Sequence, residues 1–288
     1  MLPLTDLSAD ASWRRRDNSC ETAADFLGRC RLPLHPLLRS EFFGRHFFVL
    51  DLMHIADCNG VSNVVIASII RHLVRTEHRL GPNQQARLDS INTKLSNWYE
   101  ERPGSHRLPT LKLSNLQQTS RWSQLHGRAV KAANTRAAVP FVAELAAEFY
   151  SPDDEYGRLS IRCARMLARF YEAVYAAGAV LTDAQLEEVR RIVRIFGASF
   201  QQLRNLSQTM AFLGWNITPK THYFMHLPSS CALVNARFTH CYMDESAVGT
   251  ITKIWSRSAR GRYRRTIQRV VLLKRLVALF VRLETGVV

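Results

Sequence analysis

His46-Phe47-Phe48-Val49-Leu50-Asp51-Leu52-Met53-His54 is the stretch that decides the fold. Residues 46–51 are aromatic and β-branched and end in an acid, a pattern that predicts a short buried strand. A carboxylate at a strand end is held rigidly, which suits a metal ligand, and Asp51 and His54 stand three residues apart behind it. The alternative for the same residues is structural: Asp51 caps the next turn, His54 is satisfied in the core, and Asp57 serves as a helix N-cap.

Working outward, the chain turns helical. Residues 60–76 are apolar at helical spacing, with β-branched side chains that weaken the pattern. Residues 84–101 form a polar helix with Leu88, Ile91, Leu95 and Trp98 on one face. Residues 102–121 read as a loop punctuated by Pro103, Gly104 and Pro109. Residues 123–149 read as helix that Pro140 splits or kinks. Residues 157–177 carry Ile161, Met166, Leu167, Phe170, Val174 and Tyr175 at helical spacing. Thr182 and Gln185 form a capping box that opens a long helix to about residue 213. Residues 214–222 turn, and 221–234 resume as helix bent near Pro228. Further helices are expected from Asp244 and over about 263–284, so the predicted class is mainly α. Residues 1–40, with Pro33 and Pro36, read as an irregular segment.

The charge is the second guide. The 288 residues carry a net charge of +15, and 47% of them are hydrophobic, as in a folded globular chain. An excess of this size favours a polyanionic partner, either nucleic acid or an anionic membrane surface, and its clustering favours nucleic acid. The excess is concentrated near the end: Lys253, Arg257, Arg260, Arg262, Arg264, Arg265, Arg269, Lys274 and Arg275 follow one another with no acid between them. Phosphate contact is the functional reading; a solvated face with a weak nuclear-import signal is the other. The acidic pair Asp244-Glu245 precedes the run at a helix start, where a dipole favours acids whether or not they bind metal.

Several classes lose weight. The apolar runs Val270–Leu273 and Val277–Val281 are too short to span a bilayer, and no signal peptide pattern opens the chain. An intracellular, nuclear protein without a membrane partner is therefore expected. Six cysteines at wide spacing form no C-x-x-C. His222 and His226 share a helix face, yet no Glu follows His222 to make H-E-x-x-H. Gly-rich phosphate loops, a G-x-S-x-G elbow and kinase signatures are missing from the sequence, and no small-molecule substrate is implied.

Taken together, these segments resemble the C-terminal part of the CACTA (En/Spm-type) DDE transposases, whose catalytic domain is similar to ribonuclease H. Asp51-Leu52-Met53-His54 matches the family's D-x-x-H, followed by Gly60-Val61. Lys220-Thr221-His222-Tyr223-Phe224-Met225-His226-Leu227 matches K-x-H-x-x-x-H-L, and Glu245 with Gly249 matches E-x-x-x-G. The resemblance covers about residues 33–284. It implies a residual ribonuclease-H-like α/β core from 41–75 and 216–288, with a helical insertion over 76–215. It implies Asp51, His54 and Glu245 as catalytic residues, and Asp51 and Glu245 as ligands of Mg²⁺ or Mn²⁺. It implies DNA as partner, contacted by Lys253, Arg257, Arg260, Arg262, Arg264, Arg265 and Arg269. The family's first acid precedes the D-x-x-H on its own strand, and Asp6, Asp10, Asp17 and Asp25 lie in no strand pattern. The expectation is thus a truncated or decayed derivative whose two-metal chemistry is impaired, and whose bare strand edge favours association with a second copy. Two other readings stand beside it: an active nuclease that draws its missing acid from Asp25 or a partner chain, and a non-enzymatic helical interaction module.

Overall fold

The structure, a computed structural model, describes Leu7 and residues 49–242 except 103, 105, 117–121, 128–129 and 211. The chain divides into two compact units, Met1–His240 and Cys241–Val288. In the second unit only Cys241 and Tyr242 are among the described residues. The expected helices from Asp244 onward and the segment 1–40, Leu7 apart, lie outside them.

The first unit is mainly α, and its described residues contain no strand. A π-helical turn, Met53–Asp57, leads through Asn59 and Gly60 into α1, Val61–Thr76. A single 3₁₀ turn, His78–Leu80, precedes α2, Gln84–Glu101. Then come the short α3, Leu113–Leu116, and α4, Ala132–Ala137, followed by α5, Val139–Phe149. Two long helices follow, α6, Glu155–Ala176, and α7, Asp183–Thr209. The unit closes with α8, Pro219–Cys231, and a 3₁₀ turn, Ala236–Phe238.

Local chemistry sets most of these boundaries. Asn83 and Asp154 cap α2 and α6 by accepting hydrogen bonds from the backbone N–H groups of Ala86 and Gly157. Thr182 and Gln185 close the expected capping box at α7. Pro140 falls in the first turn of α5, where its missing N–H costs nothing, so it starts a new helix instead of kinking one. Three expectations shift: helix begins at Ala132 instead of 123, α7 stops at Thr209, and Leu113–Leu116 form a helical turn inside the expected loop.

The helix α1 is the centre of the packing. Nearly all of its side chains from Val61 to Val74 are buried, against α2, α5, α6 and the π turn. The stretch Met53–Thr76 is long and apolar enough to cross a membrane, but 83% of its 18-residue apolar window is buried inside the protein, as in a core helix. The helices α6 and α7 pair across the short connection 177–182, and α5 and α8 pack on this pair from α6 and α7 respectively. Phe170, Phe196, Phe200, Phe224 and Trp215 fill the space between them and are completely buried. Trp215 holds a left-handed φ of 59°, fixed because its N–H donates to Ser68 Oγ at 2.9 Å and its indole donates to Tyr156 Oη at 3.0 Å. That strained conformation is one no sequence pattern announces.

His72, on α1, lies against the rings of Tyr156, Phe212 and Tyr150, with centroids 4.4, 5.3 and 5.5 Å away. Burial pulls its imidazole down to about 4; Asp154 opposes the shift and Arg75 reinforces it. The unfolded chain takes up this proton near pH 6.5 and the folded one only near pH 4, so between those values the unfolded state binds more protons. Stability is therefore expected to fall as pH drops through this window, by about 2 kcal/mol once screening of a partly exposed ring is allowed for. Thermal unfolding of His72→Gln at pH 4.5 and pH 7 checks this: the variant is expected to lose that part of the difference. An identical pH response would place the effect elsewhere.

Candidate functional site

The strand expected over 46–51 is not formed where it can be seen. Residues 46–48 lie outside the described residues, and Val49, Leu50 and Asp51 carry no ladder pairing. The physical reason is local. Asp51 Oδ1 accepts hydrogen bonds from the N–H groups of Met53 (2.9 Å) and His54 (3.3 Å), which turns the chain into the helical stretch that follows. The Leu50 carbonyl accepts from Thr239 Oγ1 at 2.9 Å instead of from a neighbouring strand. Over Val49–Asp51 the strand pattern gives way to an acidic cap.

The same carboxylate binds the histidine of the motif. His54 Nδ1 stands 2.9 Å from Asp51 Oδ2, and the two side chains are 43% and 28% exposed, so the pair faces solvent and is not sealed in the core. A carboxylate that fixes one imidazole nitrogen leaves the other, Nε2, as the ring's acceptor when the ring is neutral.

Asp57 behaves differently. It is 1% exposed; Tyr171 donates to Asp57 Oδ1 at 2.5 Å and Ser62 Oγ donates to it at 3.0 Å. Ser62 and Tyr171 lie 2.9 Å from each other, closing a triangle between the turn, α1 and α6. A buried carboxylate needs such donors, and here they tie three elements together. In the sequence Asp57 stands as a competitor of Asp51 or as a simple N-cap. Nothing in a local window signals Tyr171, which is 114 residues away.

Gly60 is where the turn meets α1. A Cβ there would stand 2.0 Å from the Ile55 carbonyl oxygen, so the backbone passes too close for any side chain.

The other motif segment is brought to this turn. The helix α8 packs against Met53–Asp57, and Lys220 Nζ donates to the Cys58 carbonyl at 2.5 Å. Thr218 opens α8 with its hydroxyl accepting from Thr221 N, and Pro219 takes the first helical position, so Lys220, His222 and His226 are set by a defined start. His222 and His226 are one turn apart with their Nε2 atoms at 3.0 Å, one ring donating and the other accepting. His222 is buried.

Asp244, Glu245 and the cations Lys253, Arg257, Arg260, Arg262, Arg264, Arg265 and Arg269 lie outside the described residues, so the expected approach of Glu245 to Asp51 is not addressed by the structure. The chain matches no family model, no curated protein and no solved structure.

Proposed function

We propose that this chain is a transposase-derived, DNA-binding protein of the CACTA type with weak or no strand-cleaving activity. Residues 41–75 and 216–288 stand as its ribonuclease-H-like core and 76–215 as the helical insertion. The observation that supports this reading is the packing of the Asp51–His54 turn against the Lys220–Leu227 helix, two segments that the sequence separates by more than 160 residues and the fold joins through Lys220 and Cys58. DNA is bound through Lys253, Arg257, Arg260, Arg262, Arg264, Arg265 and Arg269, whose charges replace counterions along the phosphate backbone and give affinity without sequence readout. A nuclear location suits that partner.

Mg²⁺ or Mn²⁺ is the ion the resemblance implies, and the carboxylates at the turn do not fit a pair of ions. A two-ion site spans about 4 Å and needs several open carboxylate oxygens. Both Asp51 oxygens accept hydrogen bonds within the turn, and Asp57 is sealed by Ser62 and Tyr171. No chemical step is therefore routed through a metal. These committed carboxylates also favour a second reading, a non-enzymatic helical interaction module, which salt-dependent DNA binding would separate from the first.

Incubation of the purified protein with nicked and blunt duplex DNA in Mn²⁺ tests the catalytic half. No cleavage above the protein-free control is expected. Robust cleavage that disappears in Asp51→Ala and Glu245→Ala would make the chain a working nuclease or strand transferase and overturn this part of the reading.

A further inference from the structure

Away from the Asp51 turn, the last two turns of α1 carry two arginines on one face, Arg71 and Arg75. Both guanidiniums lie over the Phe212 ring, 5.8 and 5.7 Å from its centroid. Arg71 donates to Ser123 Oγ at 3.1 Å. Among the described residues neither makes an ion pair, in a chain where Arg79, Arg102, Arg169, Arg190 and Arg191 all do. Like charges four residues apart on a helix repel. Partial burial and then the charge of Arg75 pull the Arg71 guanidinium below its ordinary range.

Beside this pair is a cavity of about 210 Å³, lined among the described residues by Arg71, Val74, Arg75, Gln84, Leu113 and Leu116. No acid is among them. Gln84 is the first residue of α2, an 18-residue helix with no acid in its first turn. The positive end of the α2 dipole therefore adds to the two guanidiniums. The bland account is that Arg75 sits in the last turn of α1, where a helix favours a cation. That account covers Arg75 alone; Arg71 is a turn earlier and half-buried.

We propose that the cavity between Arg71, Arg75 and Gln84 binds a phosphate group. Two planar guanidinium forks, held on one aromatic ring and open on one side to a cavity, match the bidentate geometry of a tetrahedral oxyanion. The bound anion relieves the repulsion between them. The proposal uses none of the cations at 253–269 and goes beyond the DNA-binding reading. Its phosphate comes either from a free phosphate ligand or from a DNA backbone.

Thermal unfolding of the full chain in inorganic phosphate, against chloride at equal ionic strength, tests it. At a tenfold excess over the dissociation constant the wild type is expected to gain about 3–5 °C in phosphate. Arg75 is exposed, so Arg75→Gln is expected to fold normally and lose this gain; Arg71→Gln is expected to lose it too, and Arg71→Lys, which keeps charge without the fork, to retain a fraction. Equal unfolding temperatures in phosphate and chloride, or an undiminished gain in Arg75→Gln, would overturn the proposal. A second arm adds short duplex DNA. If DNA erases the phosphate-dependent difference between wild type and Arg75→Gln, the natural ligand is a backbone phosphodiester; if the difference persists, it is a free phosphate. Loss of all DNA binding with the phosphate gain intact would sink the DNA-binding reading and leave this site standing.

Discussion

The affinity of this chain for duplex DNA is expected to fall about a thousandfold between 50 and 200 mM monovalent salt. About six phosphate contacts give a log–log slope near −5, and a fourfold rise in salt then costs roughly three decades. On the proposed reading, the contacts are expected from the acid-free run Lys253, Arg257, Arg260, Arg262, Arg264, Arg265 and Arg269. Replacing Arg260, Arg262, Arg264 and Arg265 together with Ala should flatten the slope by about three to four units, because each lost contact releases about one counterion fewer. Fluorescence anisotropy titrations at four salt concentrations measure both slopes. An unchanged slope in the quadruple variant would move the contacts elsewhere. No measurable binding at low salt would remove nucleic acid as the partner.

Phe224→Ala is expected to cost about 3–5 kcal/mol of stability, the range for an aromatic core truncation. Phe224 sits on α8 and is 0% exposed. Its ring lies 4.9 Å from that of Phe170 on α6 and 5.2 Å from that of Phe196 on α7, centroid to centroid, so one side chain joins three helices. Removing it leaves a cavity at the junction that holds α8, with Lys220, against the Met53–Asp57 turn. For a chain of this size the loss corresponds to a fall of about 10 °C in Tm. Phe238, 54% exposed, is the internal control, and Phe238→Ala should stay within about 0.5 kcal/mol of wild type. Urea or thermal unfolding of the two variants decides it; a cost under about 1 kcal/mol for Phe224→Ala would mean that α8 is not held by this aromatic junction.

The Asp51 segment shows how a local pattern misleads. Phe47 to Leu50 has the composition of a buried strand, and a strand there was the basis for placing Asp51 as a rigid ligand. A strand also needs neighbours to pair with, which no window of sequence supplies. The acid that was to end the strand starts a helical turn instead, because two backbone N–H groups reach its oxygen within three residues. The alternative reading of Asp51 as a cap is the correct geometry, while its companion, a core-satisfied His54, is not: the ring is half-buried and paired with Asp51.

By itself the sequence determined the mainly α class and most helix boundaries in the described residues, because those rest on interactions three or four residues apart. The cap at Thr182, the apolar face Leu88, Ile91 and Leu95, and the break at Pro140 are all of that range. Only the tertiary structure decided which side chains meet across long separations: Lys220 with Cys58, Asp57 with Tyr171, Trp215 with Ser68, and Arg71 and Arg75 with Phe212 beside a cavity with no acid among its described lining residues. The physical reason is that a side chain's hydrogen-bond partner or charge balance depends on which surface the packing of α1 and α6–α8 brings to it. Apolar periodicity tells which face of a helix is buried but not which other face it is buried against.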